Sequence, residues 1–99
     1  MAPLQSYPNN LSYGYNNIIN NQAAVVVKTG PGILHSITVN TLGTTPTIQL
    51  WDNTAASGTK IGLITPTVPG DFQYDISFGT GLTVTTTGTG GADITVCYV

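Results

Sequence analysis

The sequence predicts an all-β fold, a single antiparallel β-sandwich of the jelly-roll or immunoglobulin-like (Ig-like) kind, with about seven strands and an extended N-terminal arm. The clearest observation is the strict alternation of apolar and polar residues over residues 72–78, FQYDISF, which is the period of a half-buried strand. From residue 23 onward, turn-forming residues recur at a spacing of roughly ten residues, which is typical of sandwiches and small barrels. No segment shows a helical 3.6-residue pattern. The 99 residues suffice for one domain with one core.

Residues 1–22 are predicted to form the arm, because their composition differs from that of the rest of the chain. They are rich in Asn and Tyr, contain Pro3 and Pro8, and carry no charge. Such a segment without periodicity is typical of an extended terminus; a disordered terminus or a first irregular strand is the alternative. Tyr is favoured at interfaces, since it adds a large amphipathic surface with few torsions to restrain. We therefore expect the arm to become ordered on a neighbouring subunit or partner.

The sandwich domain is predicted to span residues 23–99, with turns between its strands. These turns are rich in Gly, Pro, Asn and Asp, from Gly30-Pro31-Gly32 after the first strand to residues 88–91 before the last. The seven predicted strands are residues 23–29, 33–40, 47–52, 59–64, 72–78, 82–87 and 93–99.

Alternation along these strands assigns one set of side chains to the core and another to solvent. The residues predicted to point inward are Ile37, Val39, Ile48, Leu50, Ile61, Leu63, Phe72, Tyr74, Ile76, Phe78, Leu82, Val84, Ile94 and Val96. The residues predicted to point outward are Gln49, Gln73, Asp75, Thr83, Thr85 and Thr95. Two sheets packed about 10 Å apart would enclose the inward set.

The low charge limits the function classes that the chain can serve. Charged residues make up 6% of the chain, Lys28 and Lys60 are the only full cations, and the formal net charge is −2. Nucleic-acid binding needs clustered Lys or Arg, and binding to a membrane surface needs a polybasic segment, so we expect neither partner. A weakly charged surface resists association poorly, which favours self-association or permanent assembly.

Cys97 is the only cysteine, which excludes an intrachain disulfide, and we interpret it as a small strand hydrophobe rather than a reactive thiol. The N-terminus has neither the basic region nor the apolar core of a signal peptide. No apolar run reaches the roughly 18 residues of a membrane span. We expect a soluble chain that is made in a cytoplasm.

No combination of residues predicts a catalytic site, a metal site or a cofactor. His35, two residues before Ile37, is placed on the inward face and interpreted as a partly buried structural residue bonded to backbone or a Tyr. Neither a Ser-His-Asp motif nor zinc-ligand spacing accompanies it. The aspartates lie in turns, at strand ends or on the outward face, so we interpret them as structural residues rather than as the paired catalytic carboxylates of a glycosidase. These aspartates are Asp52, Asp71, Asp75 and Asp93.

Trp51 is a candidate binding residue, because alternation places it on the face opposite Ile48 and Leu50. An outward Trp on a strand could stack on a sugar ring or anchor a protein contact. A position in the other layer or at the edge of the sandwich is the alternative.

Four segments resemble small β-sandwich proteins of tailed bacteriophages: GILHSITVN (32–40), LWDNTAASGTKI (50–61), YDISF (74–78) and GLTV (81–84). The resemblance runs through residues 30–99 and leaves the arm outside. The closest role that it implies is that of a capsid cement, or decoration, protein, although tail and fibre modules reuse such sandwiches. Proteins of this kind assemble as trimers on the outside of a capsid and bridge neighbouring capsomers.

Together with the low charge, the resemblance implies a structural virion protein without catalysis, located on the capsid exterior and made and assembled in the host bacterial cytoplasm. The expected partners are the major capsid protein and other copies of the chain, in a homotrimer. The alternative is a receptor- or carbohydrate-binding module of a phage tail or capsid exterior that uses Trp51. The residues expected to carry the partner contact are Tyr7, Tyr13, Tyr15, Ile18, Ile19 and Trp51.

Overall fold

Two antiparallel sheets form a sandwich in the computed structural model, which describes residues 13–89 and 91–99. The predicted all-β antiparallel sandwich is confirmed. Within the described residues there are eight strands rather than about seven. No helix long and apolar enough to cross a membrane is found in this part of the chain. The strands are β1 (Gly14–Ile19), β2 (Gln22–Thr29), β3 (Gly32–Thr41), β4 (Thr44–Asp52), β5 (Thr59–Ile64), β6 (Gly70–Phe78), β7 (Gly81–Thr89) and β8 (Asp93–Tyr98).

The strand order is β1-β8-β3-β6 in the first sheet and β2-β7-β4-β5 in the second. Only β4 and β5 are both consecutive in the chain and paired in a sheet; every other connection between consecutive strands crosses from one sheet to the other. This wrapping around the β4–β5 hairpin gives the double Greek key of a jelly roll. Of the two sandwich types predicted, the structure has the jelly roll.

The facing sides of the two sheets supply the core, and alternation predicted most of it correctly. Four predicted residues, Ile61, Phe72, Tyr74 and Ile76, are partly buried and pack against that core. The predicted residues that are fully buried are Ile37, Val39, Ile48, Leu50, Phe78, Leu82, Val84, Ile94 and Val96.

The predicted inward position of Leu63 is wrong, since its side chain is 56% exposed. The pairing of β5 with β4 shifts register, because Leu50 lies opposite Gly62 whereas Trp51 lies opposite Lys60. Ile61 is the extra residue at this bulge, and an extra residue reverses the alternation beyond it. Ile64 is buried in place of Leu63.

Thr83 and Thr85 alternate with the core residues of β7, as predicted, yet both are buried instead of solvated. The hydroxyl of Thr83 donates to the carbonyl of Asn53, and that of Thr85 donates to the carbonyl of Ala23. A buried hydroxyl with a hydrogen-bond partner avoids most of the cost of desolvation. Other segments of the same chain therefore cover part of the outer face of the second sheet.

Part of the predicted arm belongs to the sandwich. β1 pairs with β8 in unbroken register, from Gly14 opposite Tyr98 to Ile19 opposite Asp93. The boundary predicted at residue 22 therefore falls inside the folded domain, and residues 14–19 form a first strand that is regular, not the irregular one given as the alternative. The strand is part of the sandwich because Ile18, its one core residue, is only 4% exposed, and burial of this side chain stabilises the strand against the second sheet.

The turn that follows β1 is fixed by Asn20, a non-glycine residue with φ 61°. Its backbone N–H donates to the carbonyl of Ala92 at 2.8 Å, and its side-chain oxygen accepts from the backbone N–H of Gly91 at 2.7 Å. Asn tolerates the left-handed conformation better than most residues. The C-terminal end of β1 is thus attached to the turn before β8.

Candidate functional site

One candidate contact surface lies along β1, at the edge of the first sheet. Tyr15 and Ile19 are 75% and 50% exposed, and Tyr13, just before the strand, is 46% exposed. Tyr15 and Ile19 alternate with inward residues, as on any strand with one buried face. We call Tyr13, Tyr15 and Ile19 the β1 edge surface. Its three side chains are aromatic or aliphatic, and none of them is charged.

Two residues predicted to bind a partner stand apart from this surface. The prediction for Ile18 is wrong, because its side chain lies in the core of its own domain. Tyr7 lies outside the described residues. For Tyr13, Tyr15 and Ile19 the exposure is compatible with a contact, and the contact itself stays a prediction.

Tyr13 is held against the first sheet by His35 and Asp75. The rings of Tyr13 and His35 stack with centroids 4.6 Å apart and an interplanar angle of 28°. His35 Nδ1 lies 2.6 Å from Asp75 Oδ1. This cluster attaches the chain before β1 to both β3 and β6.

The predicted inward position of His35 is wrong, since its side chain is 32% exposed and contacts surface groups. The register of β3 shifts between Leu34 and Ser36 against both neighbouring strands. Such an irregularity interrupts the alternation and redirects a side chain. The ring nitrogen contacts the carboxylate of Asp75, not the backbone or Tyr group that we expected.

The outer face of the first sheet carries a network of hydrogen-bonded polar side chains. Asn17 Nδ2 donates to Asp93 Oδ1 at 2.6 Å and to the carbonyl of Ile94 at 2.9 Å. Asn40 Nδ2 donates to Asp93 and to the hydroxyl of Thr95. In the described part of the chain, no group of three or more His, Cys, Asp or Glu could hold a metal ion.

Trp51 lies on the outer side of the second sheet, in a row that crosses all four strands. Opposite it are Thr83 on β7 and Lys60 on β5, and Thr83 in turn faces Val26 on β2. The Lys60 ammonium sits 5.0 Å from the centroid of the Trp51 ring, so one face of the ring is engaged in a cation–π contact. The indole N–H is buried and has no hydrogen-bond partner among the described residues.

Asp52, at the end of β4, binds the turn between β6 and β7. Its carboxylate accepts hydrogen bonds from the backbone N–H groups of Gly79, Thr80 and Gly81. Those from Gly79 and Thr80 are the main cause that lowers the pKa of Asp52 from its ordinary value of 3.8, because they stabilise the ionised form. The aspartate has a structural role, as predicted, but it binds a distant turn rather than its own.

A second group of exposed apolar side chains, which alternation did not predict, lies near β5. Leu63 is 56% exposed, and Val68, in the connection to β6, is 65% exposed. We call Leu63 and Val68 the β5 edge surface. Val68 lies between Pro66 and Pro69, and prolines disfavour a regular strand that would bury its side chain. These two prolines are the sequence feature from which the exposure of Val68 could have been predicted. An open groove lies beside it, lined by Pro46, Thr47, Thr65, Pro66 and Thr67.

The comparisons with known proteins add no relative, since neither a scan against protein-family models nor a search of curated proteins finds a match to this chain.

Proposed function

We propose that this chain is a non-catalytic structural protein of a phage virion, a capsid decoration protein that bridges subunits of the major capsid protein on the outer surface of the head. The observation that carries the proposal is the presence of exposed apolar side chains at two separate places. The β1 edge surface lies at one edge of the first sheet, and the β5 edge surface lies at the far edge of the second. A bridging protein needs at least two contact surfaces.

The charge distribution supports the same proposal. The chain has six charged residues, and the segment from Tyr13 to Val27 has none. Contact surfaces between proteins are depleted in charge at their centres and enriched in Tyr. The resemblance to phage sandwich proteins over residues 30–99 supplies the capsid as the partner.

The proposed mechanism is mass action. A protein that binds the assembled shell but not its free subunits stabilises the shell in proportion to its occupancy. Individual contacts can be weak, because many copies bound to one lattice act together. The trimer implied by the resemblance is not required; the mechanism needs only that each copy joins two protein surfaces.

Trp51 is a weaker basis for the alternative, a carbohydrate-binding module. A stacking platform needs an open ring face, and Lys60 covers one face of the Trp51 ring. A glycan-array signal that disappears in Trp51→Ala, together with no binding to capsids, would support the alternative and exclude the decoration protein.

The test uses empty shells assembled from the major capsid protein encoded in the same genome as this chain. We expect the full chain to co-sediment with the shells and to raise the temperature at which they dissociate. Paired substitutions at each surface, Tyr15→Ser with Ile19→Ser and Leu63→Ser with Val68→Ser, then locate the contact. Gln73→Ser, an exposed position on β6, is the matched control. Absence of co-sedimentation by the unmodified chain would overturn the proposal.

A further inference from the structure

The four edge strands of the sandwich differ in how they are protected against pairing with another strand. Natural sheets protect their edges with charged residues, proline and bulges. β2 contains Lys28, β5 contains Lys60, and β6 contains Asp71 and Asp75. The pairing of each of these three strands with its neighbour also includes a register shift.

β1 has none of these protections. Its sequence, GYNNII, contains no charge and no proline, and its register with β8 is continuous over all six residues. Its C-terminal end is fixed by the hydrogen bonds of Asn20. The structure therefore presents one regular, uncharged strand with no other strand paired to its outer edge among the described residues. At that edge, the side-chain amide of Gln22 donates to the carbonyl of Ile19 at 3.0 Å.

We propose that β1 pairs antiparallel with β1 of a second copy of this chain, about a two-fold axis at Asn17. The inference goes beyond the proposed function, which needs only that each copy joins two protein surfaces. This pairing of the two β1 strands would join two four-stranded sheets, one from each copy, into one continuous eight-stranded sheet. The two-fold operator makes the contact self-complementary and closed.

The alternation of β1 selects the register. Residues directly opposite each other in an antiparallel pair lie on the same face of the sheet. With Asn17 opposite Asn17, Tyr15 of each copy faces Ile19 of the other on the outer side. This is an aromatic–β-branched pair, a favourable cross-strand combination, and it occurs twice. With Asn16 opposite Asn16, Tyr15 would instead face Asn17 and lose its apolar neighbour.

The electrostatics do not oppose this pairing. Asp93 is the charged residue closest to the axis in the register of the first sheet, and it lies opposite Ile19 on β8. Antiparallel pairing places the two Asp93 residues on opposite sides of the axis, so they do not face each other. Each also accepts a hydrogen bond from Asn17 of its own copy. Like charges directly opposite would have been destabilising.

The contact involves one short strand from each copy, which is less than the roughly 800 Å² per partner of a standard interface. We therefore expect a reversible monomer–dimer equilibrium of the isolated chain, shifted toward dimer with concentration. On a lattice, where copies are held close together, the same contact would be occupied more fully.

Disulfide crosslinking tests the register. In a Cys97→Ala background of the full chain, Asn17→Cys places two thiols opposite each other at the axis, whereas Gln73→Cys places an exposed thiol on the same sheet at its other edge. Under mild oxidation we expect Asn17→Cys to form covalent dimer several-fold faster than Gln73→Cys. A mixture of Tyr15→Cys and Ile19→Cys chains should crosslink faster than either chain alone. Circular dichroism establishes that each variant is folded.

Sedimentation velocity over a range of concentrations provides the second measurement. The unmodified chain should dimerise, Asn17→Lys should remain monomeric because two lysines would oppose each other, and Gln73→Lys should behave as the unmodified chain. Equal crosslinking at positions 17 and 73, a monomer at every concentration, or a trimer unaffected by Asn17→Lys would each overturn the inference. Capsid binding by a strictly monomeric chain would support the proposed function and overturn the dimer. Dimers that bind no capsid would support the dimer and overturn the proposed function.

Discussion

The carboxylate of Asp52 accepts a 2.8 Å hydrogen bond from the backbone N–H of Thr80, and so attaches the end of β4 to the turn between β6 and β7. The same carboxylate accepts hydrogen bonds from Gly79 and Gly81. One side chain thus satisfies three consecutive backbone donors at a place where the chain crosses from the first sheet to the second. Stability and its pH dependence should both respond to this residue.

Asp52→Asn should lower the thermal midpoint at pH 7 by a few degrees, because the charge-assisted part of these hydrogen bonds is lost. The pKa of Asp52 is lowered in the folded chain, so its contribution is fully present above the ordinary value of 3.8 and is lost as pH falls through the lower folded value. Thermal melts of both chains at pH 7 and near pH 2 check this. The difference between them should shrink at the lower pH.

Asp71→Asn is the matched control, since Asp71 accepts from the hydroxyl of Thr38 instead of a row of backbone donors. It removes the same charge and should have the smaller effect. An equal difference between Asp52→Asn and the unmodified chain at both pH values would contradict the assigned role of the carboxylate.

The two glycines of the same turn should differ sharply. A Cβ at Gly81 would lie 2.8 Å from the carbonyl oxygen of Lys28 and 2.9 Å from Cγ2 of Thr54, and backbone cannot move aside easily. A Cβ at Gly79 would meet only Asp52 Oδ2 at 4.0 Å. We expect Gly81→Ala to cost about 1–3 kcal/mol, as overpacking does, and Gly79→Ala to be near neutral. Urea unfolding measures both, and similar costs would contradict the difference in crowding.

Sequence reasoning predicted the fold and the core wherever strands run without irregularity. It placed Leu50 and Val84 correctly, because alternation alone decides the face of a regular strand. It misplaced Leu63 and His35, because each follows or lies at a register shift that depends on the neighbouring strand. It also missed β1, in which one core residue, Ile18, lies among Asn and Tyr. Pairing with β8 supplies what local sequence lacks.

The partner of His35 could not be predicted for the same reason. Asp75 is forty residues away in the chain and has φ 50°, a conformation that favours Gly or Asn. It belongs to a bulge of β6, in which Tyr74 and Asp75 stand opposite the single residue His35. Asp75→Gly loses the contact with His35 but relieves the backbone, whereas Asp75→Ala loses the contact and keeps the strain. We expect Asp75→Ala to be less stable than Asp75→Gly by about 1 kcal/mol, measured by urea unfolding. The opposite order would show that backbone strain at Asp75 is unimportant.

Adjacent isoleucines of β1 provide the sharpest test of where the folded domain begins. Ile18 is 4% exposed in the core, and Ile19 is 50% exposed at the edge. Truncating a buried Ile removes its transfer free energy and leaves a cavity, so Ile18→Ala should cost about 2–4 kcal/mol. Ile19→Ala makes the same chemical change at an exposed site and should cost under about 0.5 kcal/mol. Both are measured by urea unfolding at low protein concentration, where the chain is monomeric.

Truncation extends the same test to the whole strand. A chain that starts at Tyr13 keeps β1 and should unfold at the same urea concentration as the full chain. A chain that starts at Ala23 lacks β1, exposes the edge of β8 and leaves the space of Ile18 empty, so it should unfold at lower urea and aggregate more readily. If the chain from Ala23 were as stable as the full chain, and Ile18→Ala no worse than Ile19→Ala, then β1 would be an appendage and not a strand of the sandwich.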